Sequence, residues 1–371
     1  MTQQPPHQRN GEIELARFLV ALVIVNYHSG SFPGCPQLFG YGQIGVEFFF
    51  LLSGLLMASS IRKKENLPIS SFREVNRETA HFLWRKLSSF YPELVISCIL
   101  GCIFFACVHH ADPIIMTVGK TIRTFTANIC LLETSGFGNY GINGVTWYLA
   151  SMMLSMAILY PLYRWVGLNT IFPAICLVLL SPFFMGGGDK IEIAFLVGRA
   201  NIRAFCEIVL GASLFPVVMA VRRFDLRRWM RACLTLVKMG CYAIFLIYAV
   251  RSIPPNGGGN GLVLIALILI IVLSFSRVGL DADLYQHRCI FWLGRLSLPL
   301  FLSHLFYTEN LNLDSPDIDN FSRVANLLFY NVCSLATAVL VMYLAQFVRR
   351  FFKEHRNLFL RSSAPAVEKQ G

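Results

Sequence analysis

Apolar runs of fifteen to thirty residues recur along the chain, each ended by Gly, Pro or charge. That length suits membrane spans, since a transmembrane helix needs roughly 20 mostly apolar residues. Ten runs read this way: 12–29, 44–61, 90–108, 145–163, 171–185, 191–220, 232–250, 262–276, 290–307 and 325–348. Gly186, Gly187 and Gly188 interrupt the pattern between the fifth and sixth, and only the later part of the sixth is strongly apolar. The expected fold is an all-α polytopic membrane protein of about ten transmembrane helices.

Basic residues test that count independently. With the N-terminus in the cytoplasm, the inward segments hold 22 of the 32 Lys and Arg and the outward loops hold 7. Arg17, Lys238 and Arg295 fall inside spans. This bias follows the positive-inside rule and places both termini in the cytoplasm. The expected organisation is a disordered cytoplasmic tail over 1–11, a membrane domain over 12–350 and a cytoplasmic C-terminal tail over 351–371. The first apolar run carries Arg17 with no small-residue cleavage site after it, so it does not read as a signal peptide.

Composition agrees. Of 371 residues, 55% are hydrophobic and 14% charged, against about 25% charged in an ordinary globular domain. A soluble enzyme, a disordered chain and a disulfide-stapled scaffold are all disfavoured. Cytoplasmic loops beside an anionic leaflet account for the net charge of +11, so the bilayer is the expected partner and nucleic acid is unnecessary. Most of the eleven cysteines lie in predicted spans, where Cys acts as a small hydrophobe. Cys35 and Cys130 face outward, and a bridge between them stays open. No CxxC pair signals a metal site.

Ionisable groups within spans are costly and point towards function. Arg17 and His28 share the first helix, eleven residues apart, which is about 20° beyond three full turns and about 16 Å along the axis. Both therefore project from one face. Simpler readings stand beside a functional one: Arg17 pairs with Glu14 one turn earlier, and His28 caps the helix. The second helix carries Glu47 and Ser53 in an apolar run, with Gly45 and Gly54 allowing close helix approach. A basic stretch before the third span presents Arg73, Arg77, Arg85 and Lys86, which suit either lipid phosphates or a phosphorylated cytosolic substrate. Glu207 lies in the sixth span, and Ser297, Ser303 and His304 lie in the ninth.

Taken together, these segments resemble the integral-membrane acyltransferase family 3. Its members move acyl groups, usually acetyl, onto extracytoplasmic glycans and related molecules. Arg17 and His28 match its Arg-x10-His signature. GVEFFFLLSG, Gly45 to Gly54, resembles G-V-[D/E]-x-F-F-x-x-S-G. RKLSSFYP, Arg85 to Pro92, is similar to the arginine-rich start of the third helix. Arg203, Glu207 and Gly211 fit R-x-x-x-E-x-x-x-G, and LGRLSLPLFLSH, Leu293 to His304, fits L-G-x-x-S-x-x-x-[YF]-L-x-H. Two positions depart from the pattern. Ser89 stands where the family often has a second arginine. Met152 stands five residues after Trp147, where many members have glutamate, so that acidic role is not carried over.

The resemblance implies a multi-pass enzyme of the cell (inner or plasma) membrane. Its donor is acetyl-CoA, used as a substrate with no permanently bound cofactor, and its acceptor is a glycan or other hydroxyl compound. Acyl transfer to a hydroxyl needs a base and positive charge for the developing oxyanion. His28 is the expected base, because imidazole titrates near neutral pH. Arg17 is the expected donor-binding or polarising cation, assisted by Arg85 and Lys86. Glu47, Ser53, Trp147, Glu207 and His304 are expected to shape the cavity or contact substrate. A secondary transporter or flippase for a small solute or lipid-linked sugar is the competing reading, and it would have no use for CoA.

Overall fold

The computed structural model describes residues 9–64, 71–108, 114–134, 143–167, 198–251, 259–281, 283–309 and 320–362. Among them, the long elements are ten helices: α1 Gly11–Tyr27, α2 Gly45–Arg62, α3 Phe72–Val108, α4 Ile114–Ile129, α5 Thr146–Val166, α6 Arg199–Val221, α7 Arg228–Val250, α8 Gly259–Ser276, α9 Arg288–Ser303 and α10 Asn320–Ser362. Eight stretches are long and apolar enough to cross a membrane, and α8 adds a shorter apolar helix. The chain is an all-α, polytopic membrane protein. The run at 171–185 and the start of the next, 191–197, lie outside the described residues; every other predicted run falls on a helix.

Several boundaries differ from the hydropathy reading, for physical reasons. α3 starts at Phe72 and has 37 residues, about 55 Å at 1.5 Å per residue. That exceeds a hydrocarbon core of about 30 Å, so the basic stretch before the third span is its helical extension. The expected loop 109–144 contains α4, 16 residues long. Of the expected N-terminal tail, residues 9–11 are described. Asn10 caps α1, accepting from the backbone N–H groups of Glu12 and Ile13 while its own amide donates to the Ser274 carbonyl at 2.8 Å. Cys35 and Cys130 are unbonded, and burial pushes the Cys35 thiol up to about 11.

Glycine decides the closest helix contact. A Cβ at Gly54 of α2 would overlap the Ile208 carbonyl of α6, and one at Gly211 of α6 would overlap the Leu51 carbonyl of α2. The two backbones therefore touch, as small residues permit where lipid supplies no hydrophobic drive for association. α1 packs against α9, and a second apolar cluster joins Phe18, Ala21 and Val25 of α1 to Leu296 and Leu300 of α9 and to Tyr330 and Met342 of α10.

At the end of the bundle where α1 begins, Lys238 of α7 is 1% exposed and held by two carboxylates. Its Nζ lies 2.5 Å from Glu12 and 2.8 Å from Asp281, and Ser274 donates to Glu12 at 2.7 Å. The cluster ties α1, α7, α8 and the loop before α9 together. Asp281 lies outside the spans. Burial acts to raise its pKa, but the Lys238 hydrogen bond and charge, with further bonds that include Tyr285, leave it below the ordinary carboxylate value. A carboxyl group depressed in this way stabilises the fold above its unfolded pKa, and the contribution is lost as pH falls through the folded pKa. Asp281→Asn should therefore lower the melting temperature at neutral pH. The gap to wild type should close as pH falls below about 4; a fluorescence melt in detergent across that range checks it, and a pH-independent gap contradicts it.

Candidate functional site

Arg17 sits on the second turn of α1, where its guanidinium meets Glu14 at 3.2 Å. Glu14 is itself fixed by α9, because a Cβ at Gly294 would collide with the Glu14 side chain. The Arg17–Glu14 pairing weighed as the simple alternative is thus present. It does not remove Arg17 from play, since Arg17 also lines a cavity of about 310 Å³. Arg9 and Lys86 line the same cavity, and none of its lining residues is an Asp or Glu. Lys86 has no carboxylate partner among the described residues, while Arg9 makes a loose contact with Glu14 at 3.9 Å. The cavity is a cationic chamber. Arg85, one position from Lys86 on α3, is exposed and off the lining.

Away from its charged residues the cavity is walled by rings. Phe49 of α2, Tyr148 of α5 and Phe301 of α9 all line it, with Phe49–Phe301 centroids 6.2 Å apart and Tyr148–Phe301 centroids 5.5 Å apart. Beside them Ser53 donates to the Met152 sulfur at 3.4 Å, and the Tyr148 hydroxyl approaches the same sulfur at 3.7 Å. At the position where the resemblance implies a carboxylate in many members, this chain has a soft, weak acceptor.

His28 lies where α1 tightens into a 3₁₀ turn over His28–Ser31. It occupies the C-cap position, so its backbone closes the helix while its ring stays free of that duty. The ring is half-buried and packs against Tyr27 at 4.8 Å and His304 at 5.2 Å. His304 is wholly buried, and its ring is 6.1 Å from Phe301. A continuous line of ring contacts therefore runs from the cavity through Phe301 and His304 to His28. His28 is not itself among the cavity's lining residues.

The predicted residues thus fall into three groups. Arg17, Ser53 and Lys86 share the cavity, and His28 and His304 pair beyond Phe301. Glu47 and Glu207 flank Arg203: its Nη2 donates to Glu47, and its Nε is 3.4 Å from Glu207. Trp147 belongs to none of them and packs on Phe50 at 6.2 Å. Sequence reasoning overlooked Arg9, Phe49, Tyr148 and Phe301. Phe301 lies one helical turn before His304 in the same segment, and Tyr148 follows Trp147, so proximity to motif residues was an available signal. For Arg9 there was none.

The chain matches a family described as an acyltransferase domain over residues 10–346. It therefore belongs to the integral-membrane acyltransferase family 3 and carries an acyltransferase domain in a multi-pass membrane fold. Comparison with curated proteins and with solved structures finds no match.

The Arg203 cluster is nearly sealed, with side-chain exposures of 6% for Glu47 and 1% for Glu207. Removing the cation takes from two buried carboxylates the guanidinium they share, a loss of about 3–5 kcal/mol for a broken buried pair. Arg203→Met should lower the yield of folded protein and its melting temperature. Adding Glu207→Gln should recover part of the loss, which detergent size-exclusion and melting assays can measure.

Proposed function

Starting from membership in this family, we propose that the chain transfers an acetyl group from cytoplasmic acetyl-CoA to a hydroxyl of an extracytoplasmic or lipid-linked glycan in the cell membrane. The observation that carries the reading is the cavity itself. Three cations from two helices and the capped start of α1 converge there, and their one nearby carboxylate, Glu14, pairs with the two arginines from outside the lining. Such a chamber suits the phosphates of a CoA ester, because guanidinium forks match phosphate oxygens and an ammonium adds a point charge. The cations stand at the end where α1 begins, which the basic-residue bias assigns to the cytoplasm, where acyl-CoA is available.

Arg17, Lys86 and Arg9 hold the donor's charged part, and exposed Arg85 meets whatever projects beyond the mouth. The acyl end points along α1 towards the histidine pair, about 16 Å from Arg17 by helical rise. His28 takes the proton of the acceptor hydroxyl as its oxygen attacks the thioester carbonyl. The tetrahedral intermediate then collapses with cleavage of the C–S bond. Protonated His28 then gives that proton up to the departing thiolate, directly or through water, leaving free CoA, the new ester and the neutral base. Glu47 and Glu207 hold Arg203 as part of the frame around this path, and Ser53 contributes a hydroxyl to the cavity wall.

His28→Ala should leave expression and melting temperature unchanged while reducing acetate transfer by about 10²–10⁴-fold, the usual worth of a general base. Transfer into the envelope glycan from radiolabelled acetyl-CoA is the readout, and normal transfer by the variant refutes the assignment. Wild-type protein should also show a CoA-dependent rise in melting temperature, which a transporter would lack.

The ring wall makes a second prediction, about chain length. An acyl group must pass Phe49, Tyr148 and Phe301, a passage suited to a short chain. Phe301→Ala should raise transfer of butyryl relative to acetyl by about 10-fold, in line with the worth of a methylene or two in an apolar pocket.

A further inference from the structure

The wholly buried His304 ring has one nitrogen engaged and the other unused. Its Nδ1 lies 2.9 Å from the Phe301 carbonyl and 3.3 Å from that of Leu300. Carbonyl oxygens only accept, so Nδ1 carries the proton in the neutral ring, and Nε2 presents a lone pair. That Nε2 is buried with no hydrogen-bond partner among the described residues. Buried polar atoms are rarely left unpaired, and an exception asks for a reason.

The surroundings hold the ring in place. The His304 backbone N–H bonds to the Leu300 carbonyl, and the Ser303 hydroxyl donates to the Pro299 carbonyl at 2.9 Å. Asn143, also fully buried, donates its amide to the Leu302 carbonyl at 2.7 Å. The end of α9 is therefore braced from its own helix and from the turn leading into α5. The neighbouring ring is His28, 5.2 Å away between centroids with the two planes tilted by 48°. That separation is suited to two imidazoles joined through one N–H···N bond.

We propose that His304 is a positioning residue for His28: its Nε2 accepts a hydrogen bond from the His28 imidazole while that ring holds the proton taken from the acceptor hydroxyl. The bond orients the base and spreads the charge it acquires, as a base is commonly held by a third group. The backbone carbonyls of Phe301 and Leu300 complete the chain by fixing which nitrogen of His304 is free. This inference rests on the acyl-transfer reading with His28 as base.

Two substitutions separate the functions of the two nitrogens. His304→Asn retains an amide N–H near Nδ1 and can keep the bond to Phe301, but has nothing at Nε2. His304→Gln places an amide oxygen near Nε2. Each full-length variant in membrane vesicles is assayed for transfer from radiolabelled acetyl-CoA, with KM for acetyl-CoA and melting temperature measured alongside. The expected result is a loss of about 10²-fold in kcat for His304→Asn at unchanged KM and stability. His304→Gln should restore at least part of that loss. In a His28→Ala background, His304→Asn should cost little more, because the two groups act as a unit. Wild-type rates in His304→Asn overturn the proposal. So do equal losses in both variants, or losses that follow falling stability, which would make His304 merely structural. If the wild-type protein itself transfers no acetate, the acyl-transfer reading fails instead.

Discussion

An unpaired charge cannot be kept cheaply inside a bilayer, and this constraint sorts the cations of the protein into two kinds. Lys238 is enclosed by Glu12 and Asp281, Arg203 by Glu47 and Glu207, Arg164 meets Glu78 at 3.0 Å, and Arg349 meets Glu93. Each of these joins helices that are distant in sequence, so the pairs act as cross-braces. Arg9, Arg17 and Lys86 are different. They converge on one cavity with Glu14 as their nearby counter-charge, and Lys86 has no carboxylate partner among the described residues. The cations that no helix-to-helix carboxylate encloses are thus gathered at one cavity.

Packing explains how the two kinds stay separate. The backbone contact of Gly54 and Gly211 draws α2 against α6, and the same pairing brings Glu47 beside Arg203 and Glu207. Larger residues at those glycines would push the helices apart and strand the carboxylates. At the other end, Gly294 admits Glu14 into the α1–α9 seam. Glu14 can then steady Arg17, whose side chain also lines the cavity. Close approach and charge placement are one design feature, because the missing side chain provides the room that the carboxylate occupies.

Most of the helical scaffold was legible in hydropathy, since apolar length is a direct consequence of bilayer thickness. Hydropathy could not show that α3 begins at Phe72, because the helix outside the hydrocarbon carries Arg, Glu and Thr and has no apolar signal. The bond from the Asn10 amide to the Ser274 carbonyl was hidden for a different reason: the two residues are 264 apart in the chain. The Arg17 and His28 spacing was readable because both residues ride on one helix. The wall of Phe49, Tyr148 and Phe301 was not, as three separate helices assemble it and phenylalanine is abundant throughout this chain. The pairing of His28 with His304 lay between these cases. Both residues stood out as ionisable groups in apolar runs, but only the α1–α9 packing brings the rings together.

That packing bears on how chemistry can cross the bundle. α1 carries the cavity's arginine near its start and the histidine at its end. α9 meets the first through Gly294 and Glu14, and the second through His304. Arg17 and the His28–His304 pair are therefore fixed by the same pair of helices, and the separation of Arg17 from His28 is set by helical rise rather than by a loop. Phe301 belongs to that pair as well: its ring faces the cavity, and its carbonyl accepts from His304. Phe301 thus joins the cavity wall to the hydrogen bond that fixes the His304 ring.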